Sequence, residues 1–388
     1  MKYRILRQMY IDKSLSCADL SESIGKSVPL VTKVVNELVQ SGQVVENGLA
    51  PSSGGRRPVM FSLKADFGFI VTVAMDQLFT KITILDFNND PVLPIETREL
   101  KLSNNPNALF ELVEYINDII TRSGVEREKI IGVGIGMPGF INTKLGVNYS
   151  YLHPDNNESF CEYMERRLQL PVYIDNDSSM IALAELKFGL ARQRENVMVV
   201  NIGWGVGLGM VIQGELFRGH TGFAGEFSHI PLFDNDILCE CGKRGCLETA
   251  ATLLVVAKKA MEEIAKGKVS KLTLESSYEK MVMSVMAAAN TGDQYAIELL
   301  SDMGYKIGKG LAILIHIVNP ELIVLSGRGA DVGKILMAPM QQAIHQFCIP
   351  RLAENTELKV SKLGHDAELI GAAALVMENY GQSVFHHA

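Results

Sequence analysis

Three of the six Cys in the chain, Cys239, Cys241 and Cys246, fall within eight residues, and His229 precedes them in the run His229-x9-Cys239-Glu240-Cys241-Gly242-Lys243-Arg244-Gly245-Cys246. One imidazole and three thiolates fill a tetrahedron and leave no open position for water, so zinc held there would be structural rather than hydrolytic. Gly242 and Gly245 let such a knuckle fold back around the metal. The alternative is three reduced thiols without an ion. Glu226 and Glu248 flank the knuckle, and with Asn176 and Asp177 they form a set of carboxylate and amide acceptors suited to a polyhydroxyl compound. A single Glu beside a turn is more often a plain surface group, so this reading rests on the constellation.

A second chemical feature is the strand pair expected from Asn196 to Ile212, where Gly203, Gly205, Gly207 and Gly209 recur at period two. One face is thereby stripped to backbone, while Ile202, Trp204, Val206, Leu208 and Met210 occupy the other. Backbone N–H groups on such a face can cradle phosphate, or the glycines can serve close packing; the spacing does not match Gly-x-Gly-x-x-Gly.

The elements that must carry these residues alternate in type. Strand-like runs at Phe69 to Val73, Lys81 to Asp86, Ile130 to Gly136 and Val172 to Ile174 are separated by a helical pattern at Leu109 to Thr121 and followed by another at Ser179 to Phe188. The body from Asp66 onward is therefore an α/β fold.

The first 63 residues read differently. Ile5, Leu6 and Met9 have helical spacing, Cys17 to Gly25 reads as a short helix closed by Gly, and Ser27 can cap a second helix with Pro29 in its first turn and the stripe Val31, Val34, Val35, Leu38. Helix, tight turn, helix is followed by Val44-Val45, a Gly-rich loop ending Gly54-Gly55-Arg56-Arg57-Pro58, and an extended Val59 to Leu63, which together make a wing. In a winged helix-turn-helix the second helix enters the major groove of duplex DNA. Ser27, Thr32 and Lys33 are then the groups that reach bases or phosphates, and Arg56 and Arg57 grip the backbone or minor groove. A helical docking or dimerisation module with a solvated loop is the plainer reading.

Charge supports the division. Eight Lys and Arg against five acids give residues 1–63 a formal +3, whereas the whole chain is -7, leaving -10 for the rest. A basic module on an acidic body can meet a polyanion with one part only. At 388 residues, 47% hydrophobic and 21% charged, with 34 Gly and 13 Pro, the chain is excluded from the collagen-like, low-complexity and largely disordered classes. Six Cys are too sparse for a disulfide scaffold. No apolar stretch approaches the roughly 18 residues of a membrane span, and Met1 to Arg7 carry no secretory core, so a cytoplasmic protein without membrane partners is expected.

Gly225-Glu226-x-x-His229, followed by Cys239-x-Cys241-Gly242-x-x-Gly245-Cys246-x-Glu248, resembles the signature of the ROK family of repressors, open reading frames and kinases. The similarity extends to Gly136-Met137-Pro138-Gly139, Asn176-Asp177, the Gly-rich run and Asn319 to Leu325, and with the winged helix in front the chain is similar to the xylose and N-acetylglucosamine repressor branch. The resemblance implies an actin-like, ribonuclease-H-like body of two lobes with a sugar between them. It places Asn176, Glu226, His229 and Glu248 on sugar-contacting positions and Asp177 on the position of the kinases' catalytic base. Where family kinases carry Asp-x-Gly-Gly-Thr for the ATP phosphates, this chain has Ala74-Met75-Asp76-Gln77-Leu78, and Trp204 stands where kinases carry a small hydroxyl residue. A carboxylate and a bulky apolar side chain oppose a triphosphate there, so ATP binding is not expected and Asp177 is retained for binding.

The expected organisation is a winged helix-turn-helix over 1–63 and a ROK domain over 64–388, with a smaller lobe of about 66–178 plus a C-terminal helix at about 367–383 and a larger lobe of about 179–366. The expected function is a non-catalytic, sugar-responsive repressor of carbohydrate-utilisation genes, acting as a homodimer or homotetramer on a DNA operator, with a sugar or sugar phosphate as effector. The rival is an active hexose or N-acetylhexosamine kinase with an accessory DNA-binding domain; a protein-docking platform is a third reading.

Overall fold

The structure is a computed structural model that describes residues 1–51, 57–155 and 157–382. Arg56, at the tip of the expected wing, lies outside the described residues. The chain divides into two compact units, one of Met1–Asn176 with the chain from Leu369 on, the other of Asp177–Glu368.

The first unit opens with α1 (Lys2–Asp12), β1 (Leu15–Ser16), α2 (Cys17–Ile24), α3 (Val28–Gln40), β2 (Val44–Leu49) and β3 (Val59–Leu63). Ile5, Leu6, Met9, Leu20, Ile24, Val31, Val35 and Leu38 are buried together, as their helical spacing requires. Gly25, in the left-handed conformation at φ 62°, closes α2. The capping differs from expectation in one respect. Ser27 is the residue before α3, but its side chain caps nothing; the working cap belongs to α2, where Ser16 accepts from the Asp19 N–H while Asp19 reaches back to the Ser16 N–H.

Helix α1 also ties this module to the rest of its unit. The Tyr10 hydroxyl donates to Asn89, Lys13 Nζ donates to the Phe87 carbonyl at 3.1 Å, and Arg7 donates to the Tyr380 carbonyl at 2.7 Å. The Tyr3 and Tyr380 rings meet edge to face at 5.1 Å between centroids.

The body of the first unit continues with β4 (Phe69–Met75), β5 (Phe79–Asp86), β6 (Glu96–Glu99), α4 (Ala108–Ser123), β7 (Ile130–Met137), the short pair β8 (Ile141–Asn142) and β9 (Val147–Asn148), α5 (Phe160–Leu168) and β10 (Val172–Asn176). Its five-stranded sheet has the order β10-β7-β4-β5-β6. The outer pairs on the β10 side are parallel and those on the β6 side antiparallel. Leu112, Ile116 and Ile119 of α4 bury against Val71, Val73, Ile82, Ile84, Val133 and Ile135.

The second unit comprises α6 (Asp177–Phe188), β11 (Val197–Ile202), β12 (Val206–Ile212), β13 (Glu215–Leu216), α7 (Leu253–Ala265), α8 (Tyr278–Asn290), α9 (Gln294–Val318), β14 (Leu322–Ser326), α10 (Gly333–Phe347), α11 (Pro350–Ala353) and β15 (Glu357–Val360). Its sheet runs β13-β12-β11-β14-β15. With the strands numbered in chain order within each five-stranded sheet, both sheets have the order third, second, first, fourth, fifth, with the same antiparallel and parallel pairs. The chain thus builds one α/β topology twice. It then leaves the second unit within α12 (Ala367–Asn379), which packs on β7 so closely that a Cβ at Gly134 would lie 2.3 Å from the Ala372 carbonyl oxygen.

Asn196 to Ile212 form the expected strand pair, with its turn inside the Gly repeat: β11 ends at Ile202, Gly203 to Gly205 form the turn, and β12 starts at Val206. Gly207 and Gly209 lie beneath α6, where a Cβ would approach the Ser178 hydroxyl oxygen to 1.9 Å and the Ala182 Cβ to 2.3 Å, respectively. Close packing, not phosphate, is what these two glycines serve. Gly209→Ala should therefore push α6 off the sheet and cost about 1–3 kcal/mol, whereas Gly203→Ala, whose Cβ would meet only the Gly205 oxygen at 3.9 Å, should be tolerated. Thermal unfolding of the two variants side by side checks this; equal midpoints would contradict it.

Candidate functional site

His229 ends a short 3-10 turn, Phe227–His229, that begins after Glu226. Cys239, Cys241 and Cys246 come from a loop folded by two tight turns, with the Cys239 N–H on the Lys243 carbonyl at 2.8 Å and the Gly242 N–H on the Cys239 carbonyl at 2.9 Å. Gly245, at φ 79°, is required twice over, since a Cβ there would also lie 2.3 Å from the Phe233 carbonyl oxygen.

These turns bring one ligand atom from each of His229, Cys239, Cys241 and Cys246 to within 4.8 Å of one another. His229 Nδ1 lies 3.5 Å from Cys239 Sγ, and Cys241 Sγ lies 3.6 Å from Cys246 Sγ. Bonds of about 2.0–2.1 Å to nitrogen and about 2.3 Å to sulfur give a tetrahedron with edges of about 3.5–3.8 Å. The cluster could hold a metal ion. With Nδ1 turned to the thiols, Nε2 points the other way, 3.8 Å from a Glu226 oxygen.

The carboxylates gather beside it. Asp177 opens α6, with one oxygen accepting from the Ser178 N–H at 2.8 Å and the other from Asn201 Nδ2 at 3.3 Å. Glu248 sits in the 3-10 turn Leu247–Thr249 and accepts from the Val206 N–H at 3.2 Å, so it holds the base of the Gly203–Gly205 turn. Burial, then the negative charge of Asp177, pushes Glu226 up to about 7. Burial first, with Glu240 and Asp177 adding charge, does the same to Glu248 against the opposing pull of the Val206 N–H. Carboxyl groups balanced near neutrality can accept from a sugar hydroxyl or donate to one.

Asp177, Glu226, His229 and Glu248 are thus brought together within the second unit. Asn176 is the last residue of β10 in the first unit, where its side-chain amide donates to the Gly139 carbonyl at 3.3 Å. Two contacts around these residues were not read in the sequence: Asn201, which holds Asp177, and Arg328, whose guanidinium lies 5.3 Å from the centre of the Trp204 ring. Both contacts are tertiary and carry no local signal.

At the turn between β4 and β5, one Asp76 oxygen accepts from the N–H groups of Leu78 and Phe79 at 2.8 and 2.7 Å. The side chain thereby occupies the backbone donors of that turn. In the N-terminal module Ser27, Lys33 and Arg57 are exposed and Thr32 is half-buried.

The ROK family pattern matches residues 93–379, and the chain belongs to the ROK family. The xylose repressor of Caldicellulosiruptor bescii is 28% identical over 385 residues, which cover 97% of this chain and 95% of that protein. The glucokinase of Halalkalibacterium halodurans is 34% identical over 264 residues, 66% of this chain and 79% of that enzyme. The crystal structure of a ROK family transcriptional regulator, a homologue of the E. coli MLC protein, matches with a TM-score of 0.78 at 24% identity, covering 97% of this chain and 95% of that one, a likeness of fold. Among the described residues no helix is long and apolar enough to cross a membrane.

Proposed function

We propose that the chain is a sugar-responsive transcriptional repressor whose N-terminal winged helix-turn-helix binds an operator and whose ROK body senses a sugar or sugar phosphate. The observation that carries this reading is the α2–turn–α3 module ahead of the ROK body, in a chain whose similarity to a xylose repressor runs through 97% of its length. Thr32, Lys33, Ser27, Arg56 and Arg57 are its DNA-facing residues. Asn176, Asp177, Glu226, His229 and Glu248 are its sugar-facing ones.

His229, Cys239, Cys241 and Cys246 would hold Zn2+, which supplies a structural cross-link. His229 then joins the metal to Glu226, so the ion orders part of the sugar site. The reading is non-catalytic, supported by Asp76, whose side chain competes for the donors an ATP phosphate would need. In a homodimer or homotetramer, sugar occupancy shifts the two DNA modules out of register with half-sites about 34 Å apart or a multiple of that. A coupling of about 1–3 kcal/mol changes DNA affinity about 5- to 150-fold.

The test is recovery of genomic DNA fragments with purified protein at near-physiological salt, repeated with free and phosphorylated sugars. Enrichment of a two-fold-symmetric site that one sugar weakens is the expected result. No specific fragment under any condition, together with ATP-dependent phosphorylation of an aldose that Asp177→Asn abolishes, would replace this reading by the kinase.

A further inference from the structure

Helix α3 has two faces of different kinds. Val31, Val35 and Leu38 turn inward, at 0%, 0% and 2% exposure, and the opposite stripe at helical spacing is Pro29, Lys33, Asn36 and Gln40, all exposed. Lys33 and Asn36 have no side-chain partner among the described residues. At the leading turn, Val28 and Leu30 are each 44% exposed, an unusual place for aliphatic side chains on a helix whose buried stripe is already complete. The helix contains no Arg, and Lys33 is its one cation.

That inventory favours particular bases. An Asn side-chain amide matches the N6 donor and N7 acceptor of adenine, aliphatic side chains cover the C5-methyl of thymine, and the usual reader of guanine is Arg or Lys in bidentate contact. We propose that the outward face of α3 reads an A·T-containing half-site in the major groove, with Asn36 specifying an adenine and Val28 and Leu30 covering thymine methyl groups. This rests on the DNA-binding reading given above and extends it to the base class recognised. The basic character of the segment supports a duplex as occupant, since residues 1–63 carry eight cations against five acids.

The experiment selects binding sites from randomised duplex DNA with the full chain at near-physiological salt, and repeats the selection with Asn36→Ala, Asn36→Arg and the pair Val28→Ser and Leu30→Ser. The native chain should enrich adenine at one position of each half-site, with thymines a few base pairs from it, since Val28 and Leu30 lie about 12 and 9 Å from Asn36 along the helix. Asn36→Ala should weaken binding to the selected site about 5- to 150-fold and flatten the preference at that position alone. Asn36→Arg should move the preference there to guanine, and the serine variants should relax the thymines.

Asn36 is exposed, so its variants should keep the native unfolding temperature. Unchanged base preferences in Asn36→Ala, or weakening equal for every duplex, would overturn the inference while leaving DNA binding intact. Failure of the native chain to select any sequence would instead remove the DNA-binding reading, and this inference with it.

Discussion

Replacing Cys241 with Ser is expected to leave the protein with far less than one zinc per chain after dialysis against a chelator, where the native protein retains about one. Cys241 is exposed, whereas Cys239 and Cys246 are buried, so the substitution removes a ligand without opening a cavity. Metal affinity should fall by at least about 100-fold, since even outer contacts to a zinc ligand are worth 10- to 100-fold. Structural zinc contributes about 10–16 kcal/mol in small peptides, comparable with the whole stability of a domain. Its loss should therefore unfold the 229–246 loop rather than loosen it slightly. His229 would lose its anchor, and Glu226 its neighbour at 3.8 Å, so sugar affinity should fall in parallel. Metal analysis and limited proteolysis measure the effect; equal metal content in native and variant protein would refute the zinc assignment.

At pH above about 7, where Glu248 is ionised, Glu248→Gln should weaken sugar binding about 10- to 150-fold, the range of a hydrogen bond to a charged group worth about 1.5–3 kcal/mol. The amide oxygen can still accept from the Val206 N–H, so the hairpin should survive and only the charge is lost. Trp204, the one Trp in the chain, lies in the Gly203–Gly205 turn that Glu248 supports, with Arg328 over its ring. Its fluorescence should follow sugar titration in the native chain and shift to higher sugar concentration in the variant. An unchanged midpoint would remove Glu248 from the site, and DNA affinity without sugar should be the same for both proteins.

What could be read in the sequence was whatever lies close along the chain. The three Cys and His229 are crowded enough for their spacing to state their chemistry, and the two glutamates sit two or three residues from those ligands. Strands β4, β5, β7 and β10 and helices α3, α4 and α6 follow from alternation and periodicity, whereas β6, α5, α7 to α11 and β15 were not read. The strand pair was legible, but the period-two Gly repeat implied one continuous bare face, whereas a turn at Gly203 to Gly205 resets the alternation and α6 claims the last two glycines. Ser16-x-x-Asp19, immediately before the helix expected at Cys17, spells a capping box, whereas Ser27, the expected cap of the next helix, makes no capping hydrogen bond. Tyr10 to Asn89 and Arg7 to Tyr380 join residues 79 and 373 apart, and no local pattern announces them.

That last contact has a consequence for how the protein is made. The sheet of the first unit is complete in sequence by β10, but its covering helix α12 and the Tyr380 partner of Arg7 are encoded after the whole of the second unit. During synthesis, at about 5–20 residues per second, the Gly132 and Gly134 face of β7 waits uncovered for at least ten seconds or so while Asp177 to Glu368 emerge. The second unit can therefore finish folding first, and the N-terminal module gains its Tyr380 anchor only after residue 380 has been made.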